Sequence, residues 1–169
     1  MTQPITDAGE RTRTFTWSDP LATATAVRDL PGLDAIRMVA AGELPPPPIA
    51  ELLGMSITHV DRGHVVFALE PAEWMYNPIG SVHGGVAATI LDSSLGCAVH
   101  TTLDAGVGYA TSDLQVRYVR ALSSTSGRVL AESRVVHSGR RLATAEGRLF
   151  GEADGTLFAH ASTSCLILG

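Results

Sequence analysis

The sequence predicts an α+β domain in which a curved antiparallel sheet of five or six strands wraps one long, buried helix. The helix is predicted from the segment Gly84 to Thr102, which is long enough and is apolar nearly all round. The sheet is predicted from the alternation of apolar and polar residues that dominates the chain after Gly106. A length of 169 residues with 45% hydrophobic residues is sufficient for a packed core of this kind.

Residues 1–48 are predicted to form an N-terminal arm, followed by a single domain of residues 49–169. The arm is rich in threonine and lacks an apolar period as far as about Asp29, so we expect order there only where it packs on something. Helical spacing then appears over Leu33–Ala41. The four prolines at 45–48 predict a stiff, extended spacer between this short helix and the domain.

The domain is predicted to begin with a hairpin and to continue with four long strands. Residues 57–69 alternate between apolar and polar side chains on either side of the turn Asp61-Arg62-Gly63. The later strands are separated by tight turns such as Ser138-Gly139, so we expect successive strands to pair as an antiparallel meander. Their predicted bounds are 111–118, 129–137, 142–150 and 157–168.

The charge of the chain excludes some classes of partner. The net charge is −5, and all twelve basic residues are arginine because the chain contains no lysine. Neither a nucleic acid nor an anionic membrane is expected to bind so acidic a protein through its overall charge. Arginine favours bidentate phosphate contacts, although a GC-rich genome would give the same composition. Any phosphate site is therefore expected to be local.

The cysteines and the N-terminal sequence indicate a cytoplasmic protein. Cys97 and Cys165 have no Cys-x-x-Cys partner and lie in apolar surroundings, so we expect reduced, buried thiols. The first thirty residues contain several acidic side chains and no continuous apolar stretch, unlike a secretory signal. No run approaches the roughly 18 to 20 apolar residues that a membrane helix needs.

The segment Asn77–Asp92, with the sequence NPIGSVHGGVAATILD, carries the clearest chemical signal. Gly84 and Gly85 lie at the predicted start of the helix, where free backbone N–H groups can bind a substrate carbonyl oxygen that gains negative charge. Asp92 lies in the middle of the same helix. A carboxylate is costly to bury there without a partner, and such carboxylates are enriched at functional sites.

The spacing of these residues predicts a site shared between two chains. At about 1.5 Å per residue, Gly84 and Asp92 lie roughly 12 Å apart along one helix, too far to reach the same carbonyl group. Two antiparallel helices related by a twofold axis would instead place Gly84 of one chain beside Asp92 of the other. Small residues on this helix are expected to permit the close approach: Ala87, Ala88, Ser93, Ser94 and Gly96.

These residues resemble a known family. The pattern N-P-x-G-x-x-H-G-G-x-x-A-x-x-x-D over Asn77–Asp92, followed by the strand Thr111–Tyr118 and by Arg120, closely resembles hotdog-fold acyl-CoA thioesterases of the phenylacetate-degradation type. The resemblance extends over about Ile49–Leu168. It implies hydrolysis of an acyl-CoA thioester to a free acid and coenzyme A, by a homodimer or a dimer of dimers. It implies neither a metal nor any other cofactor, since coenzyme A is part of the substrate.

The resemblance also implies roles for individual residues. Asp92 matches the catalytic carboxylate, which acts as general base or as nucleophile, and the N–H of Gly84 matches the group that polarises the thioester carbonyl. Asn77 matches a polar residue that orients the thioester or water, and His83 matches a histidine that supports this loop. Thr111 stands where a hydroxyl helps to hold the attacking water. A carboxylate and an oxyanion donor can suffice, because a thiolate leaving group needs little protonation.

Further residues are candidates for substrate binding. Gly85 lies beside the predicted carbonyl site, and we expect Tyr76 and Trp74 to shape the acyl pocket, although ordinary packing explains them equally well. Arg120 and the pair Arg140-Arg141 are candidates for the phosphates of coenzyme A. Solvated charges at hairpin turns are an equally good interpretation of these arginines.

Two functions from other classes remain as alternatives. A non-catalytic acyl-CoA-binding hotdog protein would keep the pocket, but it would be expected to lose the carboxylate that Asp92 retains. A hotdog hydratase or dehydratase would be expected to carry a helical histidine, and none occurs one turn after Asp92. A thiol hydrolase based on Cys97 is conceivable, but the sequence places no base beside it.

Overall fold

The computed structural model describes residues 9–169 and confirms the predicted α+β architecture. The first eight residues of the predicted arm lie outside this range. In chain order the helices are α1 Pro20–Val27, α2 Gly32–Ala40, α3 Pro48–Leu53 and α4 Gly84–His100, with a short 3-10 turn at Glu73–Met75. The strands are β1 Ser56–Asp61, β2 His64–Leu69, β3 Gly108–Tyr118, β4 Val129–Ser138, β5 Leu142–Gly151 and β6 Leu157–Leu168.

Helix α4 is the centre of the fold. It packs against strands β2 to β6 of a single six-stranded antiparallel sheet, and four large side chains on it are fully buried: Ile90, Leu91, Leu95 and Val99. Burial of an aliphatic side chain of this size contributes about 1.5–3 kcal/mol. Nine of its seventeen residues are buried, and the face that is only partly buried carries mostly small residues, so α4 shows little separation between an apolar and a polar face.

The order of the strands differs from a simple meander. It is β1-β2-β4-β5-β6-β3, so β3 pairs with β6 rather than with β4, its successor in the chain. The prediction of a continuous meander was therefore correct for β4, β5 and β6 and wrong for β3. The pairing of β3 with β6 depends on packing across the whole sheet, which local periodicity does not report. As a result β1 and β3 form the two edges of the sheet.

The N-terminal arm contains a helix that the sequence analysis missed. Helix α1 lies where no regular structure was predicted, and none of its residues is buried. Its start is explained by the side chain of Asp19, which accepts a hydrogen bond of 2.9 Å from the Leu21 N–H, and by Pro20 at the first helical position. The absence of an apolar period concealed it, because periodicity reports burial rather than capping.

Helix α2 docks on the far end of α4. The N–H of Gly32 donates to the carbonyl oxygen of Leu103 at 3.1 Å. A Cβ atom at Gly32 would lie 1.9 Å from the carbonyl oxygen of His100, so only glycine permits this approach. On the same helix Ala35 and Ile36 are buried. The arm from α2 onwards therefore packs against its own domain.

No helix in residues 9–169 is long and apolar enough to cross a membrane.

On the outer face of the sheet, Glu132 joins three strands. Its carboxylate accepts hydrogen bonds from Arg148 at 2.7 and 3.0 Å and from Arg134 at 3.1 Å, and it lies 3.1 Å from Nε2 of His64. Burial raises the pKa of Glu132, but the hydrogen bonds from the two arginines outweigh burial and hold the pKa below its ordinary value. The ionised carboxylate thus stabilises the contacts between β2, β4 and β5.

We predict that Glu132→Gln lowers the melting temperature at pH 7 by a few degrees, since about 1 kcal/mol corresponds to roughly 2–4 °C in a protein of this size. Because the folded-state pKa is depressed, this stabilisation is present above the unfolded-state pKa and is lost as the pH falls through the folded-state pKa. The difference in melting temperature should therefore narrow below about pH 4. Glu152→Gln, which removes an exposed partner of Arg128, is the matched control and should have little effect. An equal loss in both variants, or a loss independent of pH, would contradict this role.

Candidate active site

The loop before α4 is fixed at both of its ends. Tyr76 and Val82 form an antiparallel bridge, and the N–H of His83 donates to the carbonyl oxygen of Met75 at 2.8 Å. The N–H of Val82 donates to the carbonyl oxygen of Leu122 at 2.9 Å. The residues just before the helix are therefore held against the protein body on both sides.

His83 caps the helix, and Gly84 is its first residue. Nδ1 of His83 accepts a hydrogen bond of 2.9 Å from the Gly85 N–H, so the ring proton lies on Nε2. The Gly84 N–H has no hydrogen-bond acceptor among residues 9–169. One strongly oriented donor is thus left at the positive end of the helix, which suits an oxygen that gains negative charge.

Tyr118 fixes the position of Gly84 from the other side. Its hydroxyl donates to the Gly84 carbonyl oxygen at 3.0 Å, and a Cβ atom at Gly84 would lie 3.1 Å from the Tyr118 ring. The side chain of Tyr118, at the end of β3, is itself exposed. The sequence analysis placed Tyr118 only in a strand, because a contact between two distant segments leaves no local signal.

The side chains of Asn77 and Tyr76 form hydrogen bonds to nearby loop residues. Oδ1 of Asn77 accepts hydrogen bonds from the N–H groups of Ile79 and Ser81, and its Nδ2 donates to the Ser81 hydroxyl. The hydroxyl of Tyr76 accepts a hydrogen bond of 2.9 Å from the Ser124 N–H, and hydrogen bonds with Ser124 lower the pKa of Tyr76. Both residues shape the loop next to Gly84.

Asp92 lies on the partly buried face of α4, away from the core, and faces a cavity. One of its carboxylate oxygens accepts a hydrogen bond of 3.0 Å from the hydroxyl of Thr111 on β3. The cavity has a volume of about 440 Å³ and is lined mainly by apolar side chains. The structure thus brings together Asp92 and Thr111, two of the residues that the sequence analysis selected.

The residues around Gly84 line a different cavity. Its volume is about 310 Å³, and Asn77, His83, Gly84 and Arg120 all contribute to its walls. Asp92 does not line this cavity, and Gly84 does not line the cavity of Asp92. Within one chain the carboxylate and the free N–H therefore belong to separate openings, as the 12 Å spacing along the helix requires.

The three predicted phosphate ligands do not come together in one chain. Arg120 lies beside the start of α4, in the cavity that Gly84 lines. Arg140 and Arg141 lie in the turn between β4 and β5, and that turn contacts the far end of α4 through a 3.0 Å hydrogen bond between Ser138 and Thr102. Neither residue of the pair lines the cavity of Asp92 or that of Gly84.

Trp74 and Tyr76 line a third opening, together with Gly85 and with residues of α3. The guanidinium of Arg13 in the arm stacks 3.8 Å above the ring of Trp74, an attractive cation–π geometry. Neither aromatic residue lines the cavity of Asp92. Within one chain the structure therefore separates the two aromatic residues, which were expected to shape the acyl pocket, from the carboxylate.

Tyr109 is a cavity residue that the sequence analysis missed. It lies on β3, lines the cavity of Asp92, and has a ring 5.5 Å from that of His100. A Cβ atom at Gly96 would lie 2.6 Å from its hydroxyl oxygen, so this glycine makes room for the tyrosine. Burial raises the pKa of Tyr109 well above its ordinary value, so its hydroxyl remains protonated.

Three of the five small residues of α4 do not serve the expected role. Gly96 is covered by Tyr109, and Ser94 is fully buried, with its hydroxyl 2.7 Å from that of Ser133 on β4. Ala87 is buried in the domain's own core. The expectation that these three admit a partner helix was therefore wrong, whereas Ala88 and Ser93 are only partly buried in the single chain.

Cys97 lines the same cavity as Asp92, but we expect its thiol to be a poor nucleophile. Burial, and to a smaller extent the negative charge of Asp92, raises its pKa to about 12. A thiol of this kind is protonated at neutral pH and is a poor nucleophile. Cys165 is free as well, and burial raises its pKa too; its side chain is fully buried, whereas that of Cys97 is partly exposed. The hypothesis of a thiol hydrolase based on Cys97 is therefore not supported.

The sequence of this chain is similar to those of known thioesterases and esterases. Residues 79–158 match the sequence profile of the thioesterase superfamily. The chain is 32% identical over 111 residues to a Halobacterium salinarum protein named as an esterase, covering 63% of this chain and 72% of that protein. It is 27% identical over 111 residues to the 1,4-dihydroxy-2-naphthoyl-CoA hydrolase of Listeria monocytogenes, covering 64% of this chain and 87% of that enzyme.

A solved structure shows the same fold. The crystal structure of a thioesterase related to phenylacetic acid degradation, from Ralstonia eutropha, has a TM-score of 0.69 and 29% sequence identity. The match covers 77% of this chain and 97% of that chain. A long helix wrapped by an antiparallel sheet, with the His-Gly-Gly turn at its start, defines a hotdog domain of this type.

The chain belongs to the thioesterase superfamily, and its hotdog domain is of the phenylacetate-degradation type. This membership confirms the resemblance inferred from the motif at Asn77–Asp92 and supports thioester hydrolysis as the general activity.

We predict that Cys97 in the folded protein reacts very slowly with a disulfide reagent at pH 8. With a pKa of about 12 instead of 9, its thiolate fraction is roughly 1,000-fold lower than that of an ordinary thiol. A Cys165→Ser variant isolates the signal of Cys97, and the same protein in guanidinium chloride gives the full rate. Rapid stoichiometric labelling of the folded variant would contradict the assignment of a protonated, inert thiol.

Proposed function

We propose that the protein hydrolyses acyl-CoA thioesters at a site assembled across a homodimer. The observation that carries this proposal is the position of Asp92, whose carboxylate faces an apolar cavity and accepts a hydrogen bond from Thr111. Partial burial of a carboxylate on an otherwise apolar helix costs free energy, so Asp92 is not explained by a contribution to the stability of the fold. Membership of the thioesterase superfamily indicates which reaction the carboxylate serves.

In the proposed reaction, Asp92 activates a water molecule. Thr111 donates to one carboxylate oxygen and leaves the other free to accept a proton from water. The water oxygen attacks the thioester carbonyl carbon, and the carbon–sulfur bond then breaks. The products are the free acid and the thiolate of coenzyme A, which takes up the proton. Direct attack by Asp92 is the alternative route. It forms an acyl–aspartyl anhydride and releases the thiolate before water adds, so acid quenching of a single turnover with acyl-radiolabelled substrate should find label bound to the protein in the direct route only.

The carbonyl oxygen needs a donor, and we assign this role to the N–H of Gly84 from the partner chain. It is an unoccupied donor at the start of a 17-residue helix, where the helix dipole favours negative charge. Strand β3 is an edge of the sheet and carries both Thr111 and Tyr118. Antiparallel pairing of this edge with its copy would bring the start of one α4 beside the middle of the other.

The same arrangement offers sites for the phosphates of coenzyme A. Arg120 lies in the cavity of Gly84, and the turn with Arg140 and Arg141 lies at the other end of α4. In an antiparallel pair of helices, the far end of one chain reaches past the start of the other. We therefore propose that Arg120 of one chain and the Arg140-Arg141 pair of the other bind phosphate together. A dimer of dimers remains the assembly that the family resemblance implies.

The alternative functions are less well supported. A hydratase would need a second acid–base group beside Asp92. The next histidine on α4, His100, lies two turns further on, stacks on Tyr109 and does not line the cavity. Burial lowers its pKa, so it is neutral at physiological pH. A non-catalytic binder would have no use for the Asp92–Thr111 pair.

We predict that Asp92→Asn lowers kcat for octanoyl-CoA and phenylacetyl-CoA by roughly 100-fold or more, because it removes the proton acceptor. The measurement is release of the thiol of coenzyme A. Asp113→Asn, which alters an exposed carboxylate on the same strand as Thr111, is the matched control and should retain activity. Release unaffected by Asp92→Asn would refute the mechanism, and no release from any acyl-CoA by the wild-type protein would favour the binder.

A further inference from the structure

The cavity of Asp92 lies where the two edges of the sheet approach each other. Ser56 and Ile57 of β1 line one side, and Tyr109 and Thr111 of β3 line the other, although β1 and β3 are at opposite ends of the strand order. The sheet therefore curves round α4 and leaves an opening between its two edge strands, a seam that Asp92 faces.

The N-terminal arm closes the seam. Ile36 and Val39 of α2 line the cavity, and so does the proline spacer through Pro46 and Pro47. These residues precede the part of the chain that matches the thioesterase profile, residues 79–158. Part of the cavity wall is thus supplied by a segment that precedes the matched region.

Helix α2 is held firmly in this position. At its start Gly32 donates to Leu103 and lies so close to His100 that no side chain fits. In its last turn Arg37 forms an ion pair of 3.5 Å with Asp61, at the end of β1. Helix α2 is therefore docked on the domain, and its side chains form part of the cavity wall, which we call the roof.

The lining of the cavity defines the chemistry of its occupant. Asp92 is the only charged side chain in the lining, and no arginine or histidine of the described residues contributes to it. A second carboxylate would be desolvated there without a partner and would be repelled by Asp92. At about 30 Å³ per non-hydrogen atom, about 440 Å³ holds on the order of ten to fifteen atoms. The phosphates and nucleotide of coenzyme A are excluded by charge and size.

We infer that this cavity binds the acyl group of the substrate, that the acyl group is uncharged, apolar and of medium size, and that Val39 on the roof sets its length. This inference rests on the proposed thioesterase function. Straight chains of about eight to ten carbons and compact aryl-acyl groups satisfy it, whereas dicarboxylic acyl groups and long fatty acyl chains do not.

The test is the chain-length profile of kcat/KM for acyl-CoAs from two to sixteen carbons, measured for the wild-type protein and for two changes at Val39. A single methylene in an apolar pocket is worth roughly 10-fold or more in selectivity. Val39→Phe should lower kcat/KM for octanoyl-CoA and decanoyl-CoA by at least 10-fold while acetyl-CoA changes less than about twofold. Val39→Ala should move the optimum to longer chains. Asp34→Asn, at an exposed residue of the same helix outside the cavity lining, is the matched control and should keep the wild-type profile.

Charge is tested with a matched pair of substrates, butyryl-CoA and succinyl-CoA, which differ by one carboxylate. We expect kcat/KM for succinyl-CoA to be at least 100-fold lower, and comparable values would overturn the inference. A profile that Val39→Phe leaves unchanged in a folded protein, as judged by its melting temperature, would overturn the role of the roof.

A binding measurement separates failure of this inference from failure of the proposed function. Calorimetric titration of octanoyl-CoA into Asp92→Asn protein reports binding without hydrolysis. One possible result is that the wild-type protein hydrolyses no acyl-CoA, while Val39→Phe weakens binding in the Asp92→Asn background. This result would contradict the proposed function and support the cavity as the binding site of the acyl group. Active protein with binding independent of Val39 would contradict the cavity alone.

Discussion

The fold depends on burying a helix that is apolar nearly all round. Sheet and helix must match closely, and the buried hydroxyl pair of Ser94 and Ser133 and the glycine at position 96 show how little space is left between them. Asp92 is the one acidic residue of this helix, and it lies where the curled sheet fails to close. The same constraint that builds the core thus leaves a partly buried carboxylate facing a mainly apolar cavity, where electrostatic effects on a bound thioester are stronger than in bulk water.

The N-terminal arm supplies the part of the cavity wall that the sheet does not form. A domain made only of the strands and α4 would expose the carboxylate to solvent along the seam between β1 and β3. With α2 docked on His100 and Leu103, its residues Ile36 and Val39 form an apolar part of the cavity wall, against which an apolar substrate group could pack. The carboxylate that we propose to be catalytic lies on α4, whereas the residues that we propose to select the substrate lie on the N-terminal arm.

Much of the fold and part of the site follow from local sequence signals. The periodicities predict α4 and the later strands to within a few residues, and the His-Gly-Gly turn predicts the start of the helix. The pairing of β3 with β6, the contact of Tyr109 with Gly96 and the hydrogen bond of Tyr118 to Gly84 join segments that are distant in sequence, so no local pattern reports them. The roof formed by α2 was not predicted for the same reason, because its amphipathic face indicates burial but not the surface on which it is buried.

The central claim is that Gly84 of one chain and Asp92 of the other serve one site, and subunit complementation tests it directly. Gly84→Pro removes the N–H at a position where proline suits the helix, since His83 before it has φ −60° and ψ 133°. Gly84→Ala keeps the N–H and controls for the added carbon. Neither Gly84→Pro nor Asp92→Asn should be active alone, but co-expressed chains that mix at random should recover roughly a quarter of wild-type activity, because half the dimers then hold one intact site of two. Inactivity of verified mixed dimers would contradict the shared site.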